Sequence, residues 1–492
     1  MKANKALFAN ILLQDGKIKQ QLYQALKDMI LTGQLAPNTQ LPSSRALAEM
    51  MAISRNSVLA ALERLMDEGY LLTRASSGTY VSAHIPDDLI HSQQNSISRT
   101  STIAHSTQLN PNTAQLLALW HKNVPLNSQG QLLSIGVGCT DIFPHKLWGR
   151  LLGRSWRQFS QNSKQAQDPM GLLQLRQALA DYVQTTRGVH CSAAQIMIVN
   201  GTQQAMNIAA QALLQSGDAV CLDEPGYDGA LAAFQAVGAT VHPIPCQSDG
   251  VDIAYAIKNH PEARLIFTAP SHQFPLGGTL SLNKRMRLLD WAAQQQAWIF
   301  EDDYNSEFRY KARPIQALQG LDQQQRVIYA GSFSKMMFPG FRLGFLIIPT
   351  ALIETFLVTK YYTNTSSAYL EQATMAYFIA EGHYARHVRR VRQACYQRQQ
   401  TMIQAITQYL PDDFIVEPAD AGIHLLCWLP DRIDLAALLL RCQQAGLGIQ
   451  PLSRYCQLKT PRSAILLGFA AHSPEQIIAS IQCLARLVEK GS

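Results

Sequence analysis

A lysine set among serines is the segment with the plainest chemical capacity. GSFSKMMFPGFRLGF, residues 331–345, follows the apolar run RVIYA and carries an arginine further along. The amine of Lys335 can condense with an aldehyde as a Schiff base, while Ser332, Ser334 and Arg342 offer donors to a phosphate dianion. A lone loop lysine is ordinarily a solvated charge, so this reading depends on companions. EDDYNSEFRY (301–310) follows the apolar WIF and sets carboxylates at a strand end. An acid there can keep the nitrogen of an aromatic heterocycle protonated and make its ring an electron sink. Asp302 is the choice, with Asp303 one residue away as the alternative, and Tyr304 could donate to a phenolate oxygen of the same ring. VNGTQQAMNIAAQALL (199–214) reads as strand end, glycine, helix. It presents Gly201, Thr202 and Gln203 at a helix's positive end, a ready phosphate site. In LDEPGYDGAL (222–231) Tyr227 follows a tight turn and could stack on a flat ring, or simply pack its loop. In TAPSHQFPLGG (268–278) His272 or Gln273 could reach ring substituents, though packing of a Pro-bent loop explains it nearly as well.

The elements that must position these corners are apolar runs near 195–199, 219–223, 264–268, 298–302, 326–330 and 343–348, alternating with amphipathic helices. Runs apolar throughout predict parallel strands covered by helices on both faces. With 492 residues, two or three domains are expected, and 47% hydrophobic against 16% charged residues suits a large buried sheet. No stretch approaches the roughly 20 apolar residues of a membrane span, and charges interrupt the first thirty residues, which argues against a signal peptide. Nine cysteines without a CxxC pair read as reduced thiols of a cytoplasmic protein.

Residues 1–82 have a different texture. Ile18, Leu22, Ala25, Leu26, Met29 and Ile30 share one helical face, ended by Gly33. A short helix around Leu47, Met50 and Met51 follows, then a second with Ser54 as N-cap and Val58, Ala61, Leu62 and Leu65 inward. That is helix, tight turn, helix, with Arg55, Asn56 and Ser57 in the first turn of the second, residue types that reach bases and phosphates in a major groove. Tyr70 to Ser82 reads as two strands joined through Ser77-Gly78, a wing. Nine Lys/Arg against six Asp/Glu leave a net +3, a weak attraction for one copy, so a dimer reading two half-sites is expected. Residues 83–113, rich in Ser, Thr, Asn and Gln, read as a linker, and 114–492 as the larger domain, with a small subdomain from about 375.

LPSSRALA (41–48), SRNSVLAALERLMDEGYL (54–71) and SGTYV (77–81) resemble the winged helix of the GntR family. By that resemblance Arg45, Arg55 and Ser57 touch phosphates or bases, and Gly78 lets the wing approach the minor groove. The five corners of the larger domain, in their order, resemble fold-type I aminotransferases that carry pyridoxal phosphate. The whole chain thus looks like the MocR-type branch of GntR regulators. The resemblance implies an α/β fold: a winged helix-turn-helix, then an aminotransferase-like domain with a mostly parallel central sheet and a smaller C-terminal α+β subdomain. It further implies a Schiff base at Lys335, Asp302 at the pyridine nitrogen, and Tyr227 stacked. Gly201, Thr202, Gln203, Ser332 and Arg342 hold the phosphate. Expected partners are an operator DNA, a small amine, amino acid or vitamin B6 effector, and a second copy of the chain.

Two departures bear on catalysis. Leu466, in LLGFAA, falls where aminotransferases keep a carboxylate-clamping arginine, with Arg462 the nearest substitute, and Ala166 stands where a tyrosine often meets the phosphate. The expectation is a sensor with weak or absent transaminase activity. The rivals are a working aminotransferase with a regulatory appendage and a DNA-binding protein whose large domain is only a scaffold. No metal is expected. His383 and His387 share a helix face without the glutamate of a zinc hydrolase, GVGCTD (136–141) lacks dinucleotide-loop spacing, and VRRVRQACYQRQ (388–399) reads as a solvated basic face.

Overall fold

The computed structural model describes residues 8, 16–74, 78–83, 110–122, 131–162, 168–310, 315–338, 340–417, 420–458 and 462–489. The chain divides into two compact units, Met1–Thr107 and Gln108–Ser492. The linker expected at 83–113 falls almost entirely outside the described residues, as does Ala166.

In the first unit the helix Ile18–Leu31 buries Leu22, Tyr23, Leu26, Met29 and Ile30. Tyr23 shares the inward face with the expected residues, and its hydroxyl reaches Glu68 at 2.5 Å. The helix Ser44–Met51 begins at Ser43, whose hydroxyl accepts from the Ala46 amide, and ends on Ala52 in left-handed backbone. Ser54 caps the helix Arg55–Asp67 by accepting from the Ser57 amide at 3.1 Å. Strands β1 (Leu71–Arg74) and β2 (Gly78–Val81) pair antiparallel with Arg74 opposite Gly78. Gly78 is therefore the first residue of the second strand, at φ 110°.

The larger unit is built on eight strands: β3 (Ile196–Val199), β4 (Ala219–Glu224), β5 (Thr240–Gln247), β6 (Gly250–Val251), β7 (Leu265–Thr268), β8 (Trp298–Asp303), β9 (Val327–Ser332) and β10 (Gly344–Ile347). Their order across the sheet is β3-β10-β9-β8-β7-β4-β5-β6. β9, β8, β7, β4 and β5 run parallel. β10 does not: it is antiparallel to both β3 and β9, which corrects its reading as one more parallel strand. Burial on both faces explains the error, because an antiparallel strand inside a helix-covered sheet is as uniformly apolar as its parallel neighbours. β5 was not foreseen either. Its Pro243 and Pro245 cannot donate to a ladder, and it lies near the sheet margin, where only the short β6 flanks it.

A second sheet is antiparallel and has the order β11-β12-β14-β13. It comprises β11 (Ile415–Val416), β12 (His424–Trp428), β13 (Gln450–Pro451) and β14 (Ala464–Gly468). The long helix His383–Tyr409 and the helix Pro474–Glu489 bury apolar residues in a core shared with this sheet. No helix among the described residues is long and apolar enough to cross a membrane.

One buried cation ties the loops together beneath the sheet. Arg285, on the helix Leu282–Gln295, donates to the carbonyls of Leu280, Gln316 and Pro270 at 2.8–2.9 Å. Arg285→Met leaves three buried acceptors without donors and should cost about 3–5 kcal/mol. A fall in the urea midpoint of the larger unit, followed by near-ultraviolet circular dichroism, checks this. An unchanged midpoint would show that the three carbonyls find other donors.

Candidate cofactor site and DNA-binding face

A cavity of about 490 Å³ opens where the parallel strands end, the position at which α/β sheets present ligands. Asp223 comes from the end of β4, Phe267 and Ala269 from β7 and its turn, Asp302 and Tyr304 from β8, and Ser332 and Lys335 from β9 and the loop beyond it. Thr202, first residue of the helix Thr202–Leu213, and Tyr227, which precedes the helix Asp228–Ala236, complete that side. Six of the residues picked out by sequence (Thr202, Tyr227, Asp302, Tyr304, Ser332 and Lys335) thus line one cavity.

Lys335 and Asp302 are among the ionisable groups in it that are displaced toward neutrality. Burial lowers the Lys335 amine below the usual lysine value, against the pull of the Asp302 charge. Burial and then the neighbouring Asp303 push Asp302 up to about 7. Lys335 Nζ donates to the Gly136 carbonyl at 2.8 Å. Asp302 Oδ1 and the Tyr304 hydroxyl are buried without a hydrogen-bond partner.

The pleat sends Asp302 and Asp303 to different cavities. Successive residues of β8 face opposite sides. The Asp303 carboxylate accepts from Arg187 Nε at 2.7 Å and from the Tyr329 hydroxyl, beside a second cavity that Asp302 does not line. Glu301 accepts from the Leu318 and Gln319 amides at 2.8 Å each.

Four other selected residues stand just off the cavity wall. Gly201 starts the helix at φ 93°, and a Cβ there would lie 3.5 Å from the Arg342 guanidinium carbon, so glycine, helix start and arginine do converge. The Gln203 side chain donates instead to the Gly229 carbonyl at 2.9 Å. The Ser334 hydroxyl donates to the Phe341 carbonyl at 3.0 Å, which turns it away from the role of phosphate donor. At the Pro-bent corner the Gln273 amide is spent on the Pro225 and Phe274 carbonyls. His272 is pushed down to about 3 by burial, with His424 and Arg309 adding to it, and does not line the cavity. Phe274 takes that place.

Several residues in or beside the cavity wall escaped the sequence reading. Gly136 and Gly138 were set aside for lacking dinucleotide spacing. Yet a Cβ on Gly138 would sit 1.9 Å from the Lys335 carbonyl oxygen, and one on Gly136 3.3 Å from its Nζ. The paired glycines were the signal: close approach to a lysine backbone, rather than to a pyrophosphate. Ile423 and His424 arrive from the second sheet, and Gln450, Arg454 and Tyr455 from β13 and the turn after it, with no local motif to mark them.

The remaining candidates resolve simply. Leu466 is fully buried in β14, and Arg462 lies over the Trp428 ring, 5.6 Å from its centre. His387 bonds the Met336 carbonyl while His383 meets Glu381, so the two are not paired on a metal. The basic run is not wholly solvated, since Arg398 is buried against Asp141 and Arg392 donates to the Glu307 carbonyl. On the first unit Arg45, Ser54, Arg55, Asn56 and Gly78 are exposed. Arg45 pairs loosely with Glu49 at 3.8 Å. Ser57 is half-buried, its hydroxyl 2.9 Å from that of Ser54, so both serines serve the cap as well as any ligand.

The larger unit fits pyridoxal phosphate on its own observations. A buried amine, an unpartnered carboxylate oxygen, a tyrosine ring and a glycine-led helix start surround one cavity of adequate size.

Residues 154–476 match the family described as "Aminotransferase class I and II", and residues 18–81 match "Bacterial regulatory proteins, gntR family". The chain is 35% identical over 472 residues to the probable rhizopine catabolism regulatory protein MocR of Rhizobium meliloti, covering 96% of this chain and 93% of that one. It is 30% identical over 471 residues to an uncharacterized HTH-type transcriptional regulator, YdeL, of Bacillus subtilis (strain 168), covering 96% of each. Among solved structures, the kynurenine aminotransferase of Pyrococcus horikoshii superposes with a TM-score of 0.68 at 23% identity, over 80% of this chain and 98% of that one, a likeness of fold.

The raised Asp302 value has a stability consequence with a definite sign. Between the ordinary aspartate value of 3.8 and about 7, the folded chain holds a proton that the unfolded chain has lost. Stability therefore falls as pH rises through that window. Asp302→Asn should stabilise the cofactor-free protein at about pH 8 by up to roughly 4 kcal/mol, and leave it unchanged near pH 4. Denaturant titrations at the two pH values measure it. Equal stability of parent and variant at about pH 8 would refute the assignment.

Proposed function

This chain belongs to the MocR-type branch of the GntR family of transcription regulators, its larger unit to the class I and II aminotransferases, and from that premise we propose how the two units work. It is a DNA-binding transcription regulator that uses pyridoxal phosphate. Our reading is that the larger unit senses a small amine, amino acid or vitamin B6 compound. The chain acts as a cytoplasmic homodimer on an operator with two half-sites.

The observation that carries the reading is the meeting of Lys335 and Asp302 in one cavity. When bound, pyridoxal phosphate supplies an aldehyde carbon and an electron-withdrawing ring. Lys335 would be the nucleophile toward that carbon, and its lowered proton affinity increases the share present as free amine. Asp302, left with an unfilled oxygen, would hold a proton at the ring nitrogen. Tyr227 would cover one ring face, and Tyr304 would donate its hydroxyl to the ring oxygen. The start of the helix at Gly201, Thr202 and Gln203 would take the phosphate with Ser332 and Arg342. An effector that competes for Lys335 would bias the packing of the larger unit and hence operator binding. Transamination would be weak or absent, because position 466, where the resemblance expects a carboxylate clamp, is a buried leucine.

Purified protein given pyridoxal phosphate should absorb between the near-ultraviolet and visible, and titration with candidate amines should change that band. Lys335→Ala should abolish it. A band that survives dialysis in the variant refutes the lysine assignment, and sustained turnover with an amino donor and a keto acid would favour a working enzyme.

On the DNA side, Arg55→Ala should weaken operator binding and lower the slope of log affinity against log salt by about one. Fluorescence anisotropy at several salt concentrations reads both. An unchanged slope would place Arg55 off the phosphates.

A further inference from the structure

We infer that the larger unit has a second ligand site, across β8 from the cofactor cavity, and that it takes a phenolic acid: one aromatic ring with a carboxylate at one end and a hydroxyl at the other. The site is separate from the one that would sense through Lys335.

A cavity of about 660 Å³ lies on the side of β8 to which Asp303 points. Its walls come from the end of the helix Leu173–Arg187, from β8 and β9, and from one face of the helix His383–Tyr409. On that helix Ala385, Val388, Arg389 and Arg392 fall at the three- and four-residue spacing of a single face. Ser332 borders this cavity and the cofactor cavity alike, so an occupant would sit against the strands that carry the cofactor contacts.

The floor calls for a donor. The Asp303 side chain is 2% accessible, and its Oδ2 accepts from Arg187 Nε and the Tyr329 hydroxyl, but its Oδ1 is buried without a partner. A carboxylate oxygen left in that state suits a hydroxyl. The rim calls for an anion. Arg187 cannot receive it, because its nitrogens are spent on Asp303, the Ile315 carbonyl and the Ser271 hydroxyl. Arg389 and Arg392 can. Arg389 is exposed, Arg392 gives its Nε to the Glu307 carbonyl, and neither pairs with a carboxylate among the described residues. Two guanidinium groups three residues apart on one helix face match a planar carboxylate. Glu307, the other acid in the wall, accepts from the Tyr182 and Tyr384 hydroxyls, and burial raises its proton affinity, so it repels an anion weakly. Between floor and rim, Phe333, Phe345 and Val388 supply buried apolar surface for the ring.

The test uses the full-length protein loaded with pyridoxal phosphate and three probes: 4-hydroxybenzoate, benzoate and phenol. None carries an amine, so none can condense with the cofactor's aldehyde. Calorimetry should show 4-hydroxybenzoate binding about tenfold or more tighter than either of the others, the scale of one charge-assisted contact. Arg389→Gln should weaken both acids by about tenfold and leave phenol as it was. Arg390→Gln, at an exposed neighbour outside the cavity wall, should change none of the three. Equal losses in the two variants would mean a general attraction of acids to a basic helix, and overturn the inference. Benzoate binding as tightly as 4-hydroxybenzoate removes the contact with Asp303 and overturns the ligand class. A native protein that binds no 4-hydroxybenzoate overturns the site itself. Each of these failures leaves the reading of the Lys335 cavity standing.

Discussion

Three consecutive carboxyl groups end a strand in the middle of a helix-covered sheet, and the larger unit is arranged around making that tolerable. The pleat sends Glu301 and Asp303 one way and Asp302 the other. Glu301 is quenched by two backbone amides, and Asp303 by the Arg187 guanidinium and the Tyr329 hydroxyl. Asp302 receives no such settlement. It faces a lysine whose own nitrogen is bonded elsewhere, and both groups lean toward their neutral forms. A charge left unquenched in low dielectric costs stability unless a partner completes it. Of the three carboxyl groups, Asp302 is the one that the surrounding protein leaves facing the cavity with an unpartnered oxygen.

Much of this was legible, for a reason that differs by residue. Thr202, Tyr227, Tyr304, Ser332 and Lys335 each sit immediately beyond an apolar run, so the strand itself pointed to them. Asp302 and Asp303 could not be separated. Trp298, Ile299 and Phe300 are apolar on both faces and carry no alternation from which to count the pleat. The direction of β10 was hidden for the same cause. His424, Gln450 and Arg454 were invisible because they reach the cavity from a second sheet more than a hundred residues after β8, where nothing local announces an inward aim. Gln203 and Ser334 mark the opposite limit: their positions were found, but their side chains answer to nearby carbonyls.

In the first unit part of the formal charge is engaged internally. Glu68 draws in Lys27 and Arg64 and accepts from Tyr23, while Lys27 also lies over the Tyr70 ring. Those two cations stitch the first helix to the third. Arg45 and Arg55 remain exposed beside helix starts, where backbone amides add to their pull on a phosphate. One copy therefore attracts a polyanion only weakly.

The Gly136 carbonyl has a further meaning. Its segment is laced to the far side of the larger unit: Leu132 bridges Leu447, the Leu133 amide donates to His472, and the Leu133 carbonyl accepts from Gly468. At its other end Lys335 donates to the Gly136 carbonyl, and Arg398 holds Asp141. A ligand that draws the lysine nitrogen away would break that one bond. The Gly136 oxygen alone would then lose its donor, while the rest of the segment keeps its anchors at Leu447, His472 and Gly468.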